Sequence, residues 1–216
     1  MGECVFFLAR AARMAVSRLP NRKRPKPTML KNLCVFCGSR VGANPLYAEQ
    51  TRRLGATLAR RGIGLVYGAG HIGLMGVLAD AVLEQGGEAI GVIPQALVDR
   101  ELAHQGLTQL HVVTSMHERK ALMAARADAF LALPGGYGTA DETFEMLTWA
   151  QLKLHAKPVG VLNLAGFFDP LLAWIDRCIA EDFLKPRYRQ FLLVENDVER
   201  MLDVLTKAAS IGERSQ

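Results

Sequence analysis

From residue 33 onward, short runs of apolar residues alternate with longer stretches in which apolar positions recur every three or four residues. The runs at 33–37, 64–67, 89–93, 110–113, 129–133, 159–162 and 191–194 have strand length and are bounded by glycine, proline or polar residues. Between them the spacing predicts helices over 45–61, 73–86, 117–127, 140–154, 169–182 and 196–208. In the second of these, Leu74, Val77, Leu78, Ala81 and Val82 trace one face at i, i+3, i+4 intervals. The strand runs are apolar almost throughout, as strands covered on both faces must be, and strand–helix alternation joins neighbouring strands by crossovers. The expected fold class is therefore α/β: a doubly wound, Rossmann-like parallel sheet with helices on both faces, in a single domain. No period of 20–50 residues repeats along the chain.

Residues 1–28 stand outside this pattern, and charge separates them further. They carry seven Lys or Arg against one Glu, a net +6, whereas the chain as a whole is +5, which leaves −1 for the body. The basic balance is thus local, and a nearly neutral body gives no electrostatic reason to expect nucleic acid as a partner. The apolar stretch from Val5 to Ala9 is too short for a secretory leader and is followed by Arg10 and Arg13, so no signal peptide is expected. The organisation expected is a basic, disordered extension over 1–28 and a Rossmann-like domain over 29–216. No apolar run approaches the ~18–20 residues that span a bilayer, so no membrane association is expected either.

Four cysteines, one of them in the extension, do not make a disulfide framework in a chain this long, which suits a reducing compartment and a cytoplasmic location. Cys34 and Cys37 have C-x-x-C spacing, but no second ligand pair follows, and an odd separation in a strand sends the two thiols to opposite faces. The histidines show no H-x-x-x-H pair, so no metal site is expected.

In a doubly wound sheet, ligands sit beyond the carboxyl ends of the strands, where loops feed helix N-termini. Three such loops are rich in glycine or small polar residues: 37–39, 68–73 and 134–139. Glycine allows close backbone approach, and the free N–H groups of a helix start favour an anion, so a nucleotide or another phosphorylated ligand is expected. Residues 68–73 match G-x-G-x-x-G, but the match follows the second strand. The acidic residue at the required spacing, Glu88, precedes its strand instead of ending it, which argues against a dinucleotide. Two readings remain for these glycines: a tight strand–helix turn, or approach to a mononucleotide. The segment Leu133-Pro-Gly-Gly-Tyr-Gly-Thr-Ala-Asp-Glu142 is more specific. Thr139 is placed to cap the following helix, and Glu142 falls three residues on, as in a capping box. A carboxylate beside an anion-binding loop is otherwise useful only with a cationic centre or a water to activate.

Tyr67-Gly-Ala-Gly70, Gly73-Leu-Met-Gly76, Met116-His-Glu-Arg-Lys120, Pro134-Gly-Gly-Tyr-Gly-Thr139 with Glu142, and Thr148-Trp-Ala-Gln-Leu152 together resemble the LOG family over about residues 31–208. These are cytokinin riboside 5′-monophosphate phosphoribohydrolases, formerly labelled lysine decarboxylases. The resemblance implies cleavage of the N-glycosidic bond of a nucleoside 5′-monophosphate, such as a cytokinin nucleotide or AMP, by a homodimer without cofactor. It implies substrate contacts at Glu101, Arg119, Lys120, Gly136, Tyr137, Gly138, Thr139, Ala140, Asp141, Glu142 and Thr148, with Arg119 and Glu142 as the catalytic pair. Arg119 would also keep Glu142 ionised. Ala69 replaces a glycine common in the family, and Asp141 stands where many members have glutamate. No lysine sits in a recognisable pyridoxal-phosphate context. The alternatives are a carrier of a nucleotide or molybdenum cofactor with the same fold, or a general nucleotide 5′-monophosphate nucleosidase. The dimer contact is expected on the helix bearing Met146, Leu147, Trp149 and Leu152.

Overall fold

Seven strands, β1 (Asn32–Phe36), β2 (Gly64–Tyr67), β3 (Ala89–Pro94), β4 (Gln109–Val113), β5 (Ala129–Ala132), β6 (Val159–Leu162) and β7 (Leu192–Glu195), form one sheet in the order β4-β3-β2-β1-β5-β6-β7. Every pairing is parallel. This is seen in a computed structural model that describes residues 30–99 and 103–212; the extension expected over 1–28 lies outside the described residues. The connecting helices are α1 (Pro45–Arg61), α2 (Gly73–Leu83), α3 (Gln95–Val98), α4 (Met116–Arg126), α5 (Tyr137–Gln151), α6 (Asp169–Ala180) and α7 (Val198–Gly212), with 3-10 turns at Leu164–Gly166 and Pro186–Phe191. The sequence spacing captures the six long helices and misses the short α3 and both 3-10 turns, which are too brief to show a period.

The two-residue period of a strand sorts the core into two layers. Leu33, Val35 and Cys37 face one side, with Leu54 and Leu58 of α1, Leu74 and Leu78 of α2, and Met201 and Leu205 of α7. Cys34 and Phe36 face the other, with Met123 of α4, Met146 of α5 and Ile175 of α6. The thiols of Cys34 and Cys37 are therefore separated by the sheet, as their odd spacing requires. The outer strand β4 departs from the expectation of burial on both faces: Leu110 and Val112 are 42% and 47% exposed, because an edge strand lacks one neighbour and part of its helical cover.

Chain order runs from β1 to β4 on one side of the sheet and from β5 to β7 on the other. The crevice where this direction reverses, between β1 and β5, is where such sheets take a ligand. Here the loops after the two strands touch, the Gly38 amide donating to the Pro134 carbonyl at 3.1 Å. A cleft of about 260 Å³ opens over them, lined by Gly38, Ser39, Arg40, Tyr47, Gly136 and Phe167 among others.

Candidate active site

α5 starts at Tyr137, three residues before the expected position. Its N-cap is Gly136, and no side chain caps it. Thr139 consequently lies within the first turn, buried against Gly135, where a Cβ would fall 2.1 Å from the Thr139 Oγ1. Glu142 is not a capping residue. The side-chain cap belongs instead to α4: Ser115 accepts from the Glu118 amide at 3.1 Å, and Glu118 reaches back past the cap to accept from the Thr114 amide and hydroxyl at 2.8 Å each, a variant of the capping box. The sequence carries a Ser-x-x-Glu signal at 115–118 as well as the Thr-x-x-Glu signal at 139–142, and the fold uses the first.

Freed from capping, Glu142 sits 7% exposed in the second turn of α5 and meets Arg119, 9% exposed, with an Nη1–Oε1 distance of 3.1 Å. Arg119 is fixed from three directions. Its Nε donates to the Val92 carbonyl of β3 at 3.1 Å, its Nη1 donates to Glu142, and its Nη2 lies over Gly68, where a Cβ would approach to 1.8 Å. The glycines of 68–76 are accounted for by protein neighbours. Gly68 accommodates Arg119, Gly70 the Met75 side chain, Gly73 at φ +63° the backbone of Ser39 and Arg40, and Gly76 the His71 carbonyl. The strand–helix turn reading of this loop is the one the structure supports.

Burial is the largest influence on Glu142 and raises its carboxyl above the ordinary range; the Arg119 charge opposes this without cancelling it. The expected ionising effect of Arg119 is thus real but outweighed by desolvation. Lys120 is held differently from Arg119. Its ammonium lies 3.0 Å from Asp141 Oδ2 and 3.1 Å from Glu145 Oε2. Burial pulls it down, but the hydrogen bond to Asp141 and the charge of both carboxylates prevail and hold it above the ordinary lysine range. Glu145 joins this cluster because its place four residues after Asp141 puts both on one helical face, a spacing visible in the sequence.

At the helix end the first intrahelical bond runs from the Ala140 amide to the Gly136 carbonyl at 3.1 Å, so the amides of Tyr137, Gly138 and Thr139 precede the helical ladder. A Cβ on Gly136 or Gly138 would meet nothing within 4 Å, and Tyr137 is 97% exposed, so a ligand can approach the backbone there. Gly136 and Glu142 are separated by about 9 Å along the axis at 1.5 Å per residue. The structure thus brings Arg119 and Lys120 of α4 together with Asp141 and Glu142 of α5, the helix that opens with the Gly136–Ala140 turn. It does not bring Thr148 to them: six residues carry it about 240° around α5 from Glu142, and it lies exposed in a groove against α6 and Tyr188. Glu101 lies outside the described residues.

A doubly wound parallel sheet with an anion-accepting helix start at its switch point, and a buried arginine–carboxylate pair beside it, defines a Rossmann-like α/β protein equipped for a phosphorylated ligand. Residues 75–205 match the family described as "Possible lysine decarboxylase", and the chain belongs to that family. It is 50% identical over 161 residues, 74% of this chain and 72% of the relative, to a probable cytokinin riboside 5′-monophosphate phosphoribohydrolase, LOGL1, of Oryza sativa subsp. japonica. It is 48% identical over 163 residues, 76% of this chain and 75% of the relative, to the cytokinin riboside 5′-monophosphate phosphoribohydrolase LOG7 of Arabidopsis thaliana. Among solved structures, the molybdenum cofactor carrier protein of Chlamydomonas reinhardtii superimposes with a TM-score of 0.63 at 20% identity, over 83% of this chain and 98% of that one. That likeness is one of fold.

Proposed function

We propose that this protein is a phosphoribohydrolase that hydrolyses the N-glycosidic bond of a nucleoside 5′-monophosphate, a cytokinin riboside 5′-monophosphate or AMP, to the free base and ribose 5-phosphate. The observation that carries this reading is the buried Arg119–Glu142 pair, in which Arg119 of α4 meets a carboxylate on the same helix, α5, as the open Gly136–Ala140 turn. The 5′-phosphate is received by the amides of that turn, where the helix dipole favours negative charge. As the bond from C1′ to the base breaks, positive charge develops on the ribose, and the Glu142 carboxylate stabilises it. Water adds to C1′ and gives its proton to Glu142, while the departing base takes up a proton. A carboxyl raised by burial is closer to working pH than a surface glutamate, which favours this proton transfer. Arg119 orients the carboxylate.

The decarboxylase description of the family finds no support in the lysines. A Schiff-base lysine needs a depressed pKa, whereas Lys120 is raised. Lys157, which burial depresses, donates to the Ala124 carbonyl at 2.7 Å and precedes β6, at the edge of the sheet opposite the glycine-rich loops. Identity near 50% to phosphoribohydrolases against 20% to the carrier also favours hydrolysis over carriage. Free Cys34, Cys37 and Cys178 fit a cytoplasmic setting, and among the described residues no helix is long and apolar enough to cross a membrane. The proposed working form is a homodimer.

The test is to incubate the protein with AMP, CMP and isopentenyl-AMP and measure the release of free base and ribose 5-phosphate. Glu142→Gln should lower turnover by about 10²–10⁴-fold, the usual contribution of an acid–base group. A folded Glu142→Gln protein that keeps most of its activity contradicts the assignment. The acid limb of kcat/KM should lie above the pH at which a surface glutamate titrates, because protonation of the raised carboxyl removes the active form as pH falls.

A further inference from the structure

Two cations, Arg119 and Lys120, face three carboxylates, Asp141, Glu142 and Glu145, across the contact of α4 with α5. With every group ionised the cluster holds one negative charge in excess, and Glu142, the most buried of the three carboxylates, is where a retained proton relieves most desolvation. The other two differ in exposure. The Asp141 side chain is 61% exposed and is screened by water, whereas that of Glu145 is 22% exposed and its Oε2 is shielded from solvent without a hydrogen bond, so it meets Lys120 through charge.

We propose that Glu145 is a positioning residue of this site: it anchors Lys120 between α4 and α5, and its charge adds to that of Asp141 in deciding when Glu142 gives up its proton. The charged groups around Glu142 are few, and Asp141 acts on it in the same direction. On α5 it is flanked by Asp141 and Glu145, and from α4 it faces Arg119 and Lys120. From β1 and the residue after it come Cys34 and Cys37, whose thiols burial holds neutral. β5 and β6 carry no titratable side chain, and the 3-10 turn at Pro186–Phe191 places Tyr188 and Arg189 against the other side of α5, beside Phe144 and Thr148. Its own charge raises the Glu142 carboxyl, while the Lys120 ammonium it holds in place lowers it, and Glu145→Gln removes the first effect while Asp141 still holds Lys120 at 3.0 Å.

Replacing Glu145 with glutamine should therefore lower the midpoint of Glu142 by about one pH unit, the usual scale for a nearby charge. Glu145→Asp, which keeps the charge, should leave it near the wild-type value. The measurement is a ¹³C NMR titration of glutamate side-chain carboxyls in the full chain, with Glu142→Gln used to assign the resonance. It needs no substrate, so it stands or falls separately from the nucleotide assignment on which the catalytic consequence rests. A midpoint in Glu145→Gln within a few tenths of a unit of wild type overturns the proposal, as does a Glu145→Asp protein that shifts equally. Where Glu145→Gln does not fold, Glu145→Met, which removes the charge and suits the half-buried surroundings, serves instead: the midpoint must fall, and an unchanged value overturns the proposal. The acid limb of kcat/KM for AMP should follow the NMR midpoint in Glu145→Gln. A midpoint that moves while the limb stays supports the coupling and counts against Glu142 as the group that limits the rate.

Discussion

Gly68 shows how one residue can connect packing to chemistry. Its missing side chain is occupied by the Arg119 guanidinium, and a methyl group there would overlap Nη2. The backbone needs no unusual φ at this position, so Gly68→Ala should fold, but with Arg119 displaced from Glu142. Misplacement of a catalytic group by about 1 Å can cost ~10²-fold, and a loss of this order in kcat with a small change in melting temperature is expected. Nucleotide hydrolysis and thermal melting followed by circular dichroism distinguish this from general unfolding. The neighbouring Tyr67 leads to an opposite expectation. Its ring is fully buried but its hydroxyl has no partner, and burial pushes its pKa well up. An unpaired buried hydroxyl costs roughly 1–3 kcal/mol, so Tyr67→Phe should melt at the same temperature or higher. A fall of several degrees would mean that the hydroxyl is satisfied in solution.

At the level of elements, strand positions were legible because buried parallel strands are nearly continuous apolar runs, and β2 and β6 fall on the expected residues. Helix starts were less legible, since two capping signals occur and only the fold decides which is used. Thr139 could not become a cap because the Gly135–Gly136 turn carries the chain into the helix three residues earlier. Ser115 could, and its box sets the register that directs Arg119 inward. The role of Lys120 was not legible, because its choice between a ligand and two carboxylates depends on the juxtaposition of α4 with α5. Ser115→Ala should cost about 1 kcal/mol, the typical value of an N-cap, which in a domain of this size is about 2–4 °C in melting temperature. A change under 0.5 °C would show that the box does not hold α4.

For the whole molecule, an apolar opening lies away from the proposed chemistry. A groove of about 540 Å³ runs between α5 and α6 and the 3-10 turn, lined by Phe144, Leu147, Thr148, Trp174 and Phe183 among others. Trp174 is 56% exposed and Phe183 86%, and Leu152 and Leu154 at the end of α5 are 62% and 67% exposed. The apolar side of α5 differs from the one expected from its sequence. Met146 belongs to the core, and Leu147 and Trp149 are partly covered by it, so the residues available to a partner are Leu152, Leu154 and those of the groove. Clusters of exposed large apolar side chains mark interaction surfaces, and a homodimer would bury this one against its twofold copy. Because α5 also carries Gly136 and Glu142, pairing would brace the helix whose first turns form the site. Specific activity should therefore fall on dilution below the dimer dissociation constant, and Trp174→Glu should shift the protein to monomer in light scattering while lowering activity. A wild-type monomer with full activity would rule out both the dimer and its link to catalysis.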